Sequence, residues 1–416
     1  MDSQKPIDLT LIKDLVSAYD FPSLNETQYR FQYTLDDISS LEIVLKSELV
    51  WRNNSEGIER LLQSFKNNIL NSNYLIPVSS CTSGLFCAIS YYIQKTQNKF
   101  VIVPAYTWHS VATSVINAGG IPIFWDVSFD SLKLSKAIPN FNKADVACVI
   151  ISHLFGIPGI SDECIKYLVD ENINIIEDCA QCIKGVVGNK SVGQIGNVSV
   201  YSFNGSKHIP VGEGGIIVTN DKDIYKFCDN FIMNVYDSKS LSINRFNHGS
   251  SGWNFRLSAI QASLASSLMN RIESDYDCSC LFYKNINILL QNCHAIKIID
   301  YNSSYYYLGF PVLVNNYHSK SINISTRDLV FGLLKYLGVE VSVWMSAPVP
   351  MTNKFIEFNR QHTFSIEAGL FSNALYLANN HIVFKEIKNL NQNHITTVED
   401  ILKKIGTVVD DHYDKT

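Results

Sequence analysis

The chain has 416 residues, 46% of them hydrophobic and 18% charged, and a formal net charge of −5. That length allows one large domain and a smaller one around a sizeable core, and the composition is that of a globular chain rather than a disordered one. The mild negative charge gives no reason to expect nucleic acid or an anionic membrane as partner, so any phosphate must be held by local geometry.

Residues 1–6 lack the basic and apolar regions of a signal peptide, and no apolar run is long enough to span a bilayer. The best candidate, 146–157, is interrupted by His153 and Gly156. A soluble, cytoplasmic protein is the expectation. Residues 1–55 read as an N-terminal helical arm, 56–265 as a large domain and 266–416 as a small C-terminal domain.

Within the large domain, short β-rich runs are predicted at 74–78, 100–103, 122–125, 146–151, 173–177, 198–203 and 215–219. Helical patterns fall between them at 83–94, 110–117, 161–171 and 223–230. This alternation predicts an α/β fold with an open, mostly parallel sheet covered on both faces, with ligands outside the carboxyl ends of the strands. Gly188-Asn189-Lys190 reads as a hairpin turn. Apolar residues at Leu257, Ile260, Leu264 and Leu268 predict a long helix over 257–272, bridging to the small domain. Beyond it, strands are expected at 305–314 and 339–343, and helices at 326–336 and 397–405.

Ten cysteines scattered through these elements suggest free buried thiols. Cys179 and Cys182 have CxxC spacing, but no second pair matches it, and Cys278-Ser279-Cys280 has the wrong form for zinc; no metal site is expected.

The chemistry concentrates in two segments. The run 175–178 delivers Asp178 to a strand tip, with Gln181 one helical turn further on. The run ending at Ser202 is followed five residues later by Lys207, on a loop that leads into Gly212-Glu213-Gly214-Gly215. A lysine and a carboxylate on neighbouring strand ends are what pyridoxal 5′-phosphate requires. The lysine forms the Schiff base, and the carboxylate keeps the pyridine nitrogen protonated so that the ring acts as an electron sink. A solvated surface lysine and a helix-capping aspartate are the bland alternatives for each residue alone; as a pair they favour the functional reading.

Thr82 and Ser83, opening a helix after the first strand, suit a phosphate, with ordinary N-capping as the alternative. Ser202 adds a hydroxyl there. Trp108, just past a strand end, is as well placed for stacking on a flat ring as for packing in the core. His153 reads as a satisfied strand-end histidine rather than a base. No Walker loop, complete GxGxxG or HExxH motif is present.

Taken in order, these segments resemble the DegT/StrS family of pyridoxal-phosphate aminotransferases acting on sugars and cyclitols. The likeness rests on Thr82-Ser83, Pro104–Trp108, His153-Leu154-Phe155-Gly156, Glu177-Asp178-x-Ala180-Gln181, Ser202-Phe203-x-x-x-Lys207, Gly212–Gly215 and Asn254-Phe255-Arg256. It implies an aspartate-aminotransferase-type fold (fold type I) and a homodimer with shared active sites. It implies Lys207 as Schiff-base lysine and proton shuttle, Asp178 as pyridine partner and Gln181 as a contact to the cofactor hydroxyl. Trp108 would stack on the ring. Thr82, Ser83 and Ser202 would hold the phosphate, with Asn254 reaching in from the other subunit. The implied reaction is ping-pong transamination from L-glutamate or L-glutamine to a keto-sugar or keto-cyclitol. Cys81 stands where the family usually has glycine, and Gly84 where alanine is usual. The family also contains sugar dehydratases whose lysine is replaced by histidine; Lys207 argues against that branch, although His208 is adjacent. A pyridoxal-phosphate elimination enzyme and a non-catalytic regulatory relative are the alternative readings. The Thr107-Trp108 pair and Ala374-Leu375-Tyr376-Leu377 lean toward the cyclitol subgroup.

Overall fold

A computed structural model describes residues 7–22, 24, 33–47, 50, 55–139, 141–233, 252–291, 293–361, 368–385 and 392–414. Three helices come first: α1 (Leu9–Ala18), α2 (Leu35–Lys46) and α3 (Glu56–Asn68). Each has a side-chain cap at its N-terminus, from Asp8, Thr34 and Ser55, which satisfies N–H groups the helix itself cannot.

The strands that follow are β1 (Tyr74–Val78), β2 (Phe100–Pro104), β3 (Ile121–Trp125), β4 (Val146–Ser152), β5 (Ile175–Asp178), the short pair β6 (Val186–Val187) and β7 (Lys190–Ser191), then β8 (Val198–Ser202) and β9 (Gly215–Thr219). Helices α4 (Cys81–Thr96), α5 (His109–Asn117), α6 (Asp162–Asp170) and α7 (Lys222–Met233) alternate with them. Seven strands form one sheet in the order β1-β9-β8-β5-β4-β2-β3. Pairings from β3 through β8 are parallel, and β9 runs antiparallel to both β8 and β1. All seven residues of β4 are buried, as a central parallel strand requires. The parallel strands therefore end on one side of the sheet at Pro104, Ser152, Asp178 and Ser202, and the segments singled out by sequence begin there.

After α8 (Ala259–Met269) and α9 (Ile272–Leu290) comes an antiparallel sheet. It is made of β10 (Ile296–Ile298), β11 (Phe310–Val314), β13 (Val341–Ser342) and β14 (His381–Phe384), ordered β10-β11-β14-β13. The strand β12 (His318–Ser319) pairs separately with β15 (Tyr413–Asp414). Helices α10 (Thr326–Tyr336), α11 (Asn353–Gln361), α12 (Ser372–Asn380) and α13 (Gln392–His412) complete the order. No helix among the described residues is long and apolar enough to cross a membrane.

Two expectations change. The bridging helix is broken at Asn270-Arg271 into α8 and α9, and Arg271 turns its guanidinium onto Asp37 at 2.8 Å. The strand expected from 305 begins at Phe310, because Tyr305, Tyr306 and Tyr307 are buried as a loop against other rings. The first helices part company. Ile12 of α1 packs against Gly332 of α10, whereas α2 lies on α8 through Ser40 and Ser263.

Gly84 shows why backbone proximity, rather than helix propensity, sets a residue here. A Cβ at this position would lie 2.5 Å from Val200 Cγ1 and 3.2 Å from Ile217 Cγ1, so α4 rides directly on β8 and β9. Gly84→Ala should lower stability by about 1–3 kcal/mol despite alanine's better helix propensity, and Val200→Ala should recover part of the loss. Chemical denaturation of the cofactor-free protein checks both.

Candidate active site

Asp178 is the last residue of β5, at register with Val200 of β8, and Lys207 follows the end of β8 on a tight loop. That loop is closed by backbone bonds from Lys207 N–H to Asn204 and from Gly205 N–H to Gly212. Asn204 also accepts from the Ser206 amide and hydroxyl through its side chain. Gly212 and Gly214 adopt φ +97° and +151°, which a side chain would resist. Lys207 and Asp178 thereby line one cavity of 370 Å³, together with Thr82, Trp108, Gln181 and Ser202.

The two charges perturb each other and are both perturbed by burial. Burial pushes the Asp178 carboxyl above its usual range, opposed by the Ala180 N–H and by Lys207. For Lys207, burial holds the ammonium below the usual lysine range, and attraction to Asp178 works against this. Asp178 Oδ1 accepts from Ala180 N–H at 3.1 Å and from the Cys81 thiol at 3.6 Å. Its Oδ2 receives Ser152 Oγ at 3.4 Å, and Ser152 is in turn bonded by Thr107 Oγ1 at 2.8 Å. Burial and the neighbouring carboxylate push the Cys81 thiol well up, so it stays protonated and can donate.

The N-terminus of α4 opens into the same cavity. Ser80 is its N-cap and Ser83 completes a capping box, each bonding the other's backbone N–H. Cys81 and Thr82 lie in that first turn, where N–H groups lack intrahelical partners, so an anion can be held between them and the Thr82 and Ser202 hydroxyls. Ser83 is not among the lining residues; its hydroxyl is committed to Ser80 at 2.8 Å. Asn254 is exposed and does not line this cavity either.

Gln181 accepts from Phe155 N–H at 3.0 Å, which aims its amide into the site. Phe155 has φ +56°, a conformation costing about 1–3 kcal/mol for a bulky residue. Gly156 follows at φ +87°, where a Cβ would meet the Tyr306 carbonyl at 2.2 Å. The bend turns the Phe155 ring edge-on to Trp344 at 5.0 Å, and Trp108 lies 6.1 Å from Trp344. Trp344 and Lys385, both from the antiparallel-sheet half, line the cavity and had no sequence motif to announce them.

His153 lies at the cavity but is fully engaged. Its Nδ1 accepts from Gly159 N–H at 3.0 Å, so Nε2 carries the hydrogen and donates to Glu177 Oε2 at 3.1 Å. Glu177 also accepts from Gly193 and Gly196 N–H groups, each at 2.7 Å. His153, Glu177 and Cys179 bring ligand-type atoms within 4.8 Å of one another, yet both ring nitrogens are already used. All ten cysteines are free thiols. His208 turns away from the cavity: its Nε2 donates to the Tyr306 carbonyl at 3.1 Å, and burial pushes its pKa down to about 4.

A buried carboxylate facing a lysine of lowered pKa, a helix N-terminus with two hydroxyls, and an exposed indole at the rim fit pyridoxal 5′-phosphate in charge and size. The comparisons agree. The sequence model of the DegT/DnrJ/EryC1/StrS aminotransferase family matches residues 34–403. The chain belongs to this family. It is 30% identical over 243 residues to a GDP-perosamine synthase of Escherichia coli O157:H7, covering 55% of this chain and 64% of that one. It is 28% identical over 152 residues to the L-glutamine:2-deoxy-scyllo-inosose aminotransferase of Streptomyces fradiae, 36% of either chain. The matched stretches thus span between about a third and two-thirds of these curated relatives. Among solved structures, the E. coli GDP-4-keto-6-deoxy-D-mannose-3-dehydratase with bound hydrated PLP superposes with a TM-score of 0.76 at 17% identity, covering 91% of this chain and all of that one. The fold is the aspartate-aminotransferase type, fold type I, and the family's cofactor is pyridoxal 5′-phosphate.

Glu177 supports the wall behind the site rather than the chemistry. Glu177→Gln replaces an acceptor of two backbone N–H groups by an amide that must turn its own donors toward one of them. A loss of about 2–4 kcal/mol in denaturant-induced unfolding of the cofactor-free protein is expected. A change below about 0.5 kcal/mol would show that the buried network contributes little.

Proposed function

We propose that the chain is an aminotransferase that moves an amino group from L-glutamate or L-glutamine to a keto-sugar or keto-cyclitol by a ping-pong mechanism. Family membership supports the reaction class. The single observation that carries the reading is Lys207 facing buried Asp178 in one cavity, with its ammonium depressed by burial. Lys207, Asp178, Gln181, Trp108, Thr82 and Ser202 would hold the cofactor, whose pyridine ring, when bound, supplies an electron sink.

The protein's own part follows from the geometry. Asp178 holds negative charge at the cavity floor, steadied by Ala180 N–H, the Cys81 thiol and Ser152. Lys207 Nζ, uncharged more readily than a surface lysine, would take the proton from the α-carbon of the amino donor and pass it to the bound cofactor. The first turn of α4 with Thr82 and Ser202 fixes the phosphate, and Gln181 orients a ring hydroxyl. Trp108 covers one face and, with Trp344 and Phe155, offers flat apolar surface to a sugar or cyclitol ring. Asn254 is exposed on its own chain, which suits a residue that completes the site of a second subunit in a homodimer.

Elimination of the dehydratase kind is the weaker reading. The expectation that histidine takes the lysine's place in that branch is not met at position 207. His208, adjacent in sequence, spends its Nε2 on the Tyr306 carbonyl, and both ring nitrogens of His153 are engaged with Glu177 and Gly159.

The purified protein should be yellow and should bleach on adding L-glutamate or L-glutamine, with colour restored by a keto-sugar or keto-cyclitol. Lys207→Ala should lose turnover by at least about a thousandfold, the scale for removing a group that carries the proton. A yellow protein that no donor bleaches, or an active Lys207→Ala enzyme, would end this reading.

A second test uses pH. The rate at which the cofactor-free protein captures pyridoxal 5′-phosphate should rise with pH as Lys207 loses its proton, and level off below the ordinary lysine value of 10.5. Asp178 raises the Lys207 pKa, so Asp178→Asn should move the rise to lower pH. A shift to higher pH in stopped-flow absorbance would contradict the pairing.

A further inference from the structure

We propose that Lys385 is an anion subsite of the cavity, receiving a carboxylate of the ligand that reacts above the cofactor. The identity of that ligand rests on the aminotransferase reading; the absence of a carboxylate partner for Lys385 among the described residues does not. Asp178, Glu213, Lys207 and Lys385 are the carboxylate and ammonium side chains among the lining residues. Asp178 and Lys207 neutralise each other. Glu213 accepts from Asn204 Nδ2 at 2.9 Å. Lys385 pairs with no carboxylate among the described residues. The acid that acts on it most strongly is Glu340, and both Glu340 oxygens are held by Lys335 Nζ at 2.9 Å.

The position is fixed rather than incidental. Lys385 directly follows β14, and its N–H donates to the Glu340 carbonyl at 2.9 Å. Although the residue is exposed overall, its ammonium is shielded enough for burial to lower its pKa, and it in turn lowers that of Lys207. Asp178 and Glu213 balance the two cations in number, so the place for an incoming anion is local to Lys385, which has no carboxylate against it among the described residues. The cofactor's own phosphate is already provided for at α4, on the large-sheet wall. Lys385 comes from the antiparallel-sheet half beside Trp344, and so serves a second ligand. A compact ammonium suits a carboxylate as a point-charge contact. That carboxylate belongs either to the amino-acid donor or to an acidic keto acceptor.

Titration calorimetry of the cofactor-loaded protein with glutarate tests this without any turnover, since glutarate has carboxylates but no amine. Lys385→Met should weaken glutarate binding by about tenfold or more, the scale of one charge-assisted contact, and Lys385→Arg should keep it within about threefold. Cofactor absorbance is recorded in both variants at one pH to show that the cofactor is loaded; Lys385→Arg keeps the charge that acts on Lys207 and should leave the absorbance unchanged. A parallel rise in the L-glutamate concentration needed for bleaching assigns the subsite to the donor. A glutarate effect with unchanged bleaching assigns it to the acceptor. Glutarate binding to Lys385→Met equal to wild type, or no glutarate binding by wild type, overturns the proposal. A wild-type protein that binds glutarate through Lys385 but bleaches with no amino acid would instead overturn the aminotransferase reading and leave the anion subsite standing.

Discussion

Everything at this site depends on a carboxylate and an ammonium held out of water at the ends of adjacent strands. A buried Asp is costly unless it is hydrogen-bonded and faces an opposite charge. Here the β5–β8 pairing brings Lys207 to Asp178, while the Ala180 amide, the Cys81 thiol and the Ser152 hydroxyl take up the carboxylate oxygens. Strand geometry separates this duty from its neighbour's. Successive side chains point to opposite faces, so Glu177 serves the backbone of residues 193–196 while Asp178 faces the cavity. Two adjacent acids thus divide structure from chemistry.

A second constraint is the left-handed step at Phe155-Gly156. It aims Phe155 N–H at Gln181, puts Gly156 against the Tyr306 backbone, and turns the Phe155 ring toward Trp344 and His381. Tyr106, from the loop after β2, reaches His381 of β14 at 2.9 Å. The large sheet and the antiparallel sheet are therefore joined through the aromatic wall of the cavity itself. Any shift between the two halves would be felt in the cavity. The strain at Phe155 is held by packing from both sides, which is how such backbone persists at functional positions.

Cys81 and Gly84 show how local departures from a family pattern find their reasons in contacts. The thiol at 81 fills the space beside Asp178 and donates to it, where glycine would leave the carboxylate one partner fewer. Glycine at 84 lets α4 approach β8 and β9 more closely than alanine permits.

The seven strands of the large sheet, the helices between them, and the hairpin at Gly188-Asn189 were legible in the sequence, with ends shifted by up to three residues. So were Asp178, Gln181, Ser202, Lys207, Thr82 and Trp108 as one cluster. Parallel sheets make this possible, because buried strands are written as apolar runs and their carboxyl ends converge on one edge. Local chemistry could not say that Ser83 turns back into its own cap, or that a helix with continuous apolar spacing breaks at Arg271 to reach Asp37. Trp344 and Lys385 were invisible for a different reason: they arrive more than a hundred residues later, from short antiparallel strands with no motif of their own. The sequence by itself determined which groups gather at the cavity, since they lie within a few residues of strand ends. Only the tertiary structure decided what stands opposite that chemistry, because the second wall is set by how one sheet packs against another.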